Sequence, residues 1–343
     1  MEVPMRFGII GCGVIAPTHG NAIKAVPGAE IAAVADVLPE AGKKFAAEFG
    51  VKEVLTDYRE LLKRKDVDAV CICTPSGMHA EMAIQAARAG KHIVCEKPID
   101  INKKAMDAML AEVEKAGVKF TGIFQRRMGK NSRRIKAAIE AGEFGRMVLA
   151  DAYLKYYRSQ DYYRSASWRA TWEMDGGGAL MNQGVHGIDL VQWLMGGIKS
   201  VTARCATLAR QIQVEDTAVI LVEFKNGALG VIEGTTSVYP AQETRLELHG
   251  EKGSVILKES SILQWQLVGQ EDRAAEFATE DKAGGSGDPK QIGFAGHIAI
   301  IEDLIDAVKT GRDPFITGDE ARKAVDLILA IYESSRSGKT VTL

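Results

Sequence analysis

From Met5 to about Thr121 the chain alternates short, almost continuously apolar runs with helix-length segments. The runs are RFGIIG, AEIAAVAD, DAVCICTP, KHIVCEKP and KFTGIF. Between them helices are predicted over 15–26, 39–49, 58–64, 78–89 and 103–116. Strands that are apolar on both faces and separated by helices form a parallel sheet covered on both sides. Right-handed crossovers make such a sheet doubly wound, with its ligand crevice at the carboxyl ends of the strands.

After Gln125 the pattern changes. A helix around 132–141 precedes MVLADAYLKYY, which alternates as a half-buried strand does, and a glycine-rich helical region follows over 175–195. Then come SVTARCATL, DTAVILVEF, ALGVIEGTT, TRLELHG, GSVILK and ILQWQLV, joined by short turns such as KNGA and HGEKGS. Short connections imply a second, mostly antiparallel sheet. Helices over 293–310 and 318–335 close the chain. The glycine-rich KAGGSGDPKQIG before them reads as a mobile loop, with an active-site flap as its expected role.

Composition narrows the function more than the fold. With 43 basic and 45 acidic residues there is no net field to favour nucleic acid or an anionic membrane surface. No apolar run is long enough to span a bilayer, and MEVPMRFGII lacks the layout of a signal peptide. The five cysteines, Cys12, Cys71, Cys73, Cys95 and Cys205, contain no C-x-x-C pair. Free thiols in a reducing cytoplasm is the expected state, and no metal site is expected.

The first strand runs into Gly11-Cys12-Gly13-Val14-Ile15-Ala16, a G-x-G-x-x-A turn opening a helix. The first glycine permits the tight turn, the second lets the backbone approach a pyrophosphate, and the small Ala16 lets helix and strand pack closely. Asp36, ending the second strand, stands where an acidic residue accepts ribose hydroxyls. A carboxylate there repels a 2′-phosphate, and VLPE after it offers no cation, so NAD is favoured over NADP. In CTPSGMH, Thr74 and Pro75 are expected along the cofactor, with His79 equally readable as a cofactor contact or a helix-start residue. Val14, Ile15, Glu96, Lys97, Gln125, Trp168 and Arg169 complete the expected cofactor-binding set.

Several motifs in order, CTPSGMHAEMAIQAARAG, AGKHIVCEKP, GGGALMNQGVHGIDLVQWLMG and GRDPFITGDEARKAVDLILAIYESSRSGKTV, resemble those of the Gfo/Idh/MocA oxidoreductases. YYRSQDYYRSASWRATWEMDGGGALMNQG looks nearest to their nucleotide-sugar and sugar-acid branch. The resemblance covers nearly the whole chain. It implies an α/β protein: a Rossmann domain over 1–124, and an α+β domain over 125–343 with an open, mostly antiparallel sheet. It also implies hydride transfer at a sugar or cyclitol carbon. The second domain is expected to bind substrate and to form a homodimer or homotetramer through its sheet.

The same resemblance places Lys97 in the EKP motif and makes His186 the catalytic histidine. Oxidising a secondary alcohol requires a base for the hydroxyl proton and a cation for the developing alkoxide. Many family members carry an Asp one turn before the histidine, where this chain has Asn182. An amide cannot raise imidazole basicity, so Asn182 is expected to orient a substrate hydroxyl, and either His186 or Lys97 remains open as the base. An Asp at 182 is expected to make the histidine a stronger base. As a zinc site the stretch supplies only one good ligand, and the other histidines stand in unrelated contexts. Asp189 reads as structural.

Arg126 leaves a strand at the crevice edge, and Arg158, Arg164 and Arg169 lie among Tyr156, Tyr157, Tyr162, Tyr163, Trp168 and Trp172. Aromatic faces suit sugar rings and guanidinium groups suit carboxylates or phosphates. The expected substrate contacts are Lys97, Arg126, Tyr156, Arg158, Trp172, Asn182 and His186, with acidic or nucleotide-linked sugars preferred. Two alternative readings stand beside the dehydrogenase: an NAD-assisted glycosidase, a class that the resembled family also contains, and a non-catalytic dinucleotide-binding sensor. Net NADH formation separates the first from the dehydrogenase, while the intact EKP and His186 oppose the sensor.

Overall fold

The computed structural model describes residues 4–277 and 293–343, so most of KAGGSGDPKQIG and its expected flap lie outside the described residues. The chain forms two compact units: Met1–Gln125 with Phe294–Arg322, and Arg126–Gly293 with Lys323–Leu343. Residues 294–322, which the sequence pattern assigns to the second domain, group with the first unit.

The first unit runs β1 (Met5–Ile10), α1 (Ala16–Ala25), β2 (Ala29–Ala35), α2 (Pro39–Phe49), β3 (Glu53–Leu55), α3 (Tyr58–Leu62), β4 (Ala69–Ile72), α4 (His79–Arg88), β5 (His92–Cys95), α5 (Lys103–Ala116) and β6 (Phe120–Gly122). The sheet order is β3-β2-β1-β4-β5-β6, and every pairing is parallel. The direction of winding therefore switches between β1 and β4, which opens the crevice there. Phe7, Ile9, Val34, Val70, Ile93 and Val94 are fully buried, as strands with helices on both faces require. The three-residue β3 is too short to show in an apolar pattern.

The second unit contains α6 (Lys130–Glu140), β7 (Met147–Lys155), α7 (Gln160–Arg164), α8 (Val185–Leu194), β8 (Ile198–Ala206), β9 (Thr217–Phe224), β10 (Leu229–Thr235), β11 (Arg245–Gly250), β12 (Gly253–Lys258) and β13 (Ser261–Leu267). After α9 (Ala295–Thr310) of the first unit comes α10 (Gly318–Ser337), which begins in that unit and continues into this one, and then β14 (Val341–Thr342). The eight-stranded order is β13-β12-β11-β7-β10-β9-β8-β14. Only β7 and β10 pair in parallel; the remaining pairs are antiparallel. Burial alternates along β9, so one face of the sheet carries the core while the other is open.

One charged pair sits inside that core. Arg127 and Asp189, each 1% exposed, meet at 2.6 and 2.8 Å through two parallel N–H···O bonds. The structural role expected of Asp189 is thus an ion pair with Arg127, which lies outside α8 in the turn after Gln125. Breaking one side of such a pair costs about 3–5 kcal/mol, because the other charge is left buried.

Candidate active site

In the first unit the residues of interest lie just beyond the carboxyl ends of parallel strands. Gly11 follows β1 with φ +90°, a region that favours glycine. A Cβ there would come within 2.9 Å of the Cys73 backbone, so the turn cannot carry a side chain. At Gly13 a Cβ would meet nothing within 4 Å, which leaves open space over the turn. Asp36 follows β2 and its carboxylate accepts the N–H of Cys12 at 2.7 Å and that of Leu38 at 2.8 Å. Each oxygen keeps a further lone pair, enough for ribose hydroxyls. α1 starts at Ala16 with Pro17 in its first turn, where a missing N–H costs nothing. A tight turn, an open approach and a helix N-terminus fit a dinucleotide pyrophosphate. Val14 is exposed and Ile15 caps α1.

Thr74 and Pro75 follow β4 and are partly exposed. His79, at the start of α4, is turned into the protein. It is 1% exposed, with Nδ1 2.8 Å from the Pro98 carbonyl and Nε2 2.8 Å from that of Thr74. Each ring nitrogen faces a carbonyl oxygen, so the residue bridges the loop after β4 and the loop after β5.

Lys97 follows β5 and is partly exposed, between buried Glu96 and buried Pro98. Glu96, expected along the cofactor, is buried and engaged with protein groups. Its carboxylate lies 2.9 Å from His19 Nε2 on α1 and 3.4 Å from His297 Nε2 on α9, and it accepts the backbone N–H of Lys97 at 3.1 Å. Two histidines that stand in unrelated sequence contexts therefore share one carboxylate. Burial raises the Glu96 carboxyl, but the hydrogen bonds from His19 and His297 outweigh it and hold the group well below the usual range. Gln125, after β6, has its side-chain oxygen buried, with no partner among the described residues.

The second unit carries Asn182 and His186. Within the buried run from Ala179 to Leu190, only Asn182, Gln183 and His186 are partly exposed. They do not share one regular helical face: residues Ala179–Gly184 form a π-helical turn that passes into α8 at Val185. The turn depends on the glycine run, since a Cβ at Gly178 would overlap the Glu215 carbonyl. The Glu215 carboxylate accepts the N–H groups of Gly178 at 3.0 Å and Leu180 at 2.9 Å, and the Tyr332 hydroxyl at 2.8 Å.

Around this turn runs a polar network. Asn182 donates to Asp175 at 2.5 Å and its oxygen accepts from Gln183 at 3.0 Å. Gln183 donates to the Tyr162 hydroxyl at 2.9 Å and accepts from Arg158 at 2.7 Å. Arg169 donates to the same hydroxyl at 2.8 Å and lies over the rings of Tyr162 and Trp168. Asp175 also accepts the N–H of Ala170, whose φ is +57°.

Three residues expected to contact substrate have protein partners of their own. Arg126 is paired with Glu259 at 2.9 Å, both nearly buried. Tyr156 is buried, its hydroxyl 2.8 Å from that of Thr244. Arg158 is buried and donates to the Tyr157 carbonyl as well as to Gln183, so it positions Gln183. Trp172 is exposed, with its indole N–H on the Gln213 carbonyl. The sequence reading missed Gln183, Asp175 and Glu215. Gln183 adjoins a chosen residue and Asp175 opens the glycine run, but nothing near Glu215 in the chain marks it.

A Gly-rich βα turn, an acidic residue after β2 and a lysine after β5 on one edge of a doubly wound sheet define a dinucleotide-dependent oxidoreductase. Residues 5–124 match the oxidoreductase family with an NAD-binding Rossmann fold, and residues 132–256 match the GFO/IDH/MocA C-terminal domain. The chain is 30% identical to the oxidoreductase YrbE of Bacillus subtilis, over 98% of this chain and 96% of that one. It is 28% identical to a myo-inositol 2-dehydrogenase of Thermotoga maritima, over 99% and 98%. The WlbA dehydrogenase of Bordetella pertussis, crystallised with NADH and UDP-GlcNAcA, is 33% identical and superposes with a TM-score of 0.88 over 99% of each chain. This chain belongs to the Gfo/Idh/MocA oxidoreductase family, with an NAD-binding Rossmann fold at its N-terminal end.

Proposed function

We propose that the chain is an NAD-dependent dehydrogenase that oxidises a secondary hydroxyl of a sugar derivative: a nucleotide sugar, sugar acid or cyclitol. The observation that carries this reading is the set on one sheet edge: the Gly11–Gly13 turn, Asp36 with its backbone ties, and Lys97 after β5. Bound NAD supplies the hydride acceptor. Gly11, Gly13 and the first turn of α1 hold the pyrophosphate, Asp36 takes the ribose hydroxyls, and Thr74, Pro75 and Gln125 line the remainder. Asp36 also disfavours NADP.

In this reading the family resemblance assigns the chemistry to Lys97 and His186. The ammonium of Lys97 stabilises the alkoxide as the C–H bond breaks, and His186 takes the proton. Asn182, committed to Asp175 and Gln183, shapes the wall beside His186. Trp168, Arg169 and Trp172 supply aromatic and cationic surface for the sugar portion or the cofactor. Arg126 is engaged by Glu259 and Arg158 by Gln183, while Arg169 lies over Tyr162 and Trp168 in the polar network around Asn182.

The test is NADH formation with myo-inositol, neutral sugars, free uronic acids and UDP-GlcNAcA at matched concentration. Lys97→Ala and His186→Ala should each lower kcat by on the order of 10²-fold or more, with NAD affinity little changed. Aglycone release without net NADH would overturn the dehydrogenase in favour of a glycosidase. Binding without turnover on every substrate class would favour the sensor.

We further infer a homo-oligomer that buries the open sheet face of the second unit, and a cytoplasmic location, which the five free thiols support. Among the described residues, no helix is long and apolar enough to cross a membrane.

A further inference from the structure

The Glu96 carboxylate is 5% exposed, in a place where an unpaired charge would cost several kcal/mol. Its partners come from three separate parts of the chain. His19 stands on α1, the helix that opens from the glycine turn. His297 stands on α9, far away in sequence yet in the same unit. The third partner is the backbone N–H of Lys97 itself. Both rings are buried and meet edge to face, centroids 5.0 Å apart and planes 79° apart. One oxygen takes both imidazoles and the other takes Lys97, so the carboxylate fixes the backbone from which the lysine side chain projects.

We propose that Glu96, clamped between His19 and His297, is the positioning residue for Lys97, and that the two histidines act on the reaction through it. This rests on the reading of Lys97 as the group that stabilises the alkoxide.

The ionisable groups around the carboxylate are His19, His297, Lys97, Cys73 and Cys95. Burial lowers the His297 imidazole against its hydrogen bond to Glu96, and the charges of His19 and Lys97 lower it further. Burial opposes charge on His19, which the neighbouring Cys73 and Cys71 favour, and its imidazole stands well above the ordinary value. Burial raises the Cys73 thiol to about 11. Both imidazoles and the backbone N–H of Lys97 thus converge on one buried carboxylate.

The three ligand atoms lie within 4.8 Å of one another, a spacing that also suits a metal ion. A metal-bound imidazole normally donates its second N–H to an acceptor. Nδ1 of His19 and Nδ1 of His297 have no hydrogen-bond partner among the described residues, which fits imidazoles whose Nε2–H points at Glu96.

The experiment uses the full chain with NAD and the best substrate from the panel above. Glu96→Gln should lower kcat by about 10- to 100-fold, the scale of a small misplacement of a reacting group. KM and NAD affinity should stay within about twofold of wild type. Removing the anion also disfavours the ammonium, so the limb of the kcat–pH profile belonging to Lys97 should move to lower pH. His297→Asn should lower kcat about tenfold in the wild type and little in the Glu96→Gln background, since the two act as one unit. If Glu96→Gln does not fold, His297→Asn with its pH profile carries the test alone. Folded variants with wild-type kcat, beside a Lys97→Ala that has lost activity, would overturn the clamp and leave the lysine reading standing. An active Lys97→Ala would overturn both. One equivalent of a divalent metal in the purified protein, lost in His297→Asn, would replace the clamp with a metal site.

Discussion

The side chain of Asn182 donates its hydrogen bond to Asp175, whose other oxygen accepts the backbone N–H of Ala170. A carboxylate therefore already stands beside position 182, and it holds the segment that carries Trp168 and Arg169. This reverses the expectation that an Asp at 182 would strengthen His186. In Asn182→Asp, two carboxylates would compete for one site, and one of them would be forced to hold a proton. Its folded-state pKa would be raised, so stability would be present at low pH and lost as pH rises through that value. The variant should be less active than wild type, and its melting temperature should fall further behind wild type at pH 8 than at pH 5. Activity equal to or above wild type at pH 8 would show that the Asp175 contact does not govern this position.

The two glycines of the first turn should separate fold from cofactor binding. Gly11→Ala places a Cβ against the Cys73 backbone at positive φ and should lower both stability and NAD affinity. Gly13→Val meets no protein atom with its Cβ and should leave the melting temperature nearly unchanged. It would fill the space proposed for the pyrophosphate and should weaken NAD binding by at least tenfold. Calorimetric titration beside thermal melts reads both effects; unaltered NAD affinity in Gly13→Val would move the pyrophosphate elsewhere.

The parallel sheet, its glycine turn and Lys97 were legible because each depends on residues close in sequence: an apolar run, a G-x-G-x-x-A spacing, a strand end. What stayed hidden depends on distant partners. Arg126 reads as an available cation until Glu259, far along the chain, is seen to neutralise it. Tyr156 reads as a sugar platform, yet its place just after β7, the strand that pairs with β11, buries it against Thr244. The π-helical turn could not be anticipated from periodicity, because it follows from Gly178 lying against Glu215, which the sequence does not bring together.

Glu215 gives the fold a pH dependence with a definite sign. Burial raises its carboxyl from 4.5 to about 7, against the N–H of Leu180 and the Tyr332 hydroxyl, which lower it. The folded protein favours the protonated form, so this contribution is fully present below about 4.5 and is lost as pH rises through about 7. The difference is on the order of 3 kcal/mol. Glu215→Gln cannot ionise, so the stability of wild type relative to the variant should decline between pH 5 and pH 8. Urea melts of both proteins at the two pH values check it. A difference that does not change with pH would mean that Glu215 is ionised in the fold throughout.

The open face of the eight-stranded sheet carries Val219, Leu221, Leu229 and Leu149, exposed by 51%, 60%, 60% and 39%. Leu229 pairs with Leu149 across β10 and β7, and Leu221 stands between Val231 of β10 and Thr202 of β8. Neighbouring strands thus present a contiguous apolar patch, bordered by the Lys155–Glu233 ion pair. Patches of this kind on a sheet interior mark an interface more often than a free surface. Burying one such leucine contributes about 1.5–3 kcal/mol, and a symmetric contact counts it twice. Leu221→Asp puts an unpaired charge at the centre of the patch and should convert the assembly to monomers, while each monomer keeps its fold because the side chain faces away from the core. Light scattering after size exclusion should give a multiple of 37.1 kDa for wild type and the single-chain mass for the variant. A monomeric wild type, or a variant with the wild-type mass, would place the interface on another surface.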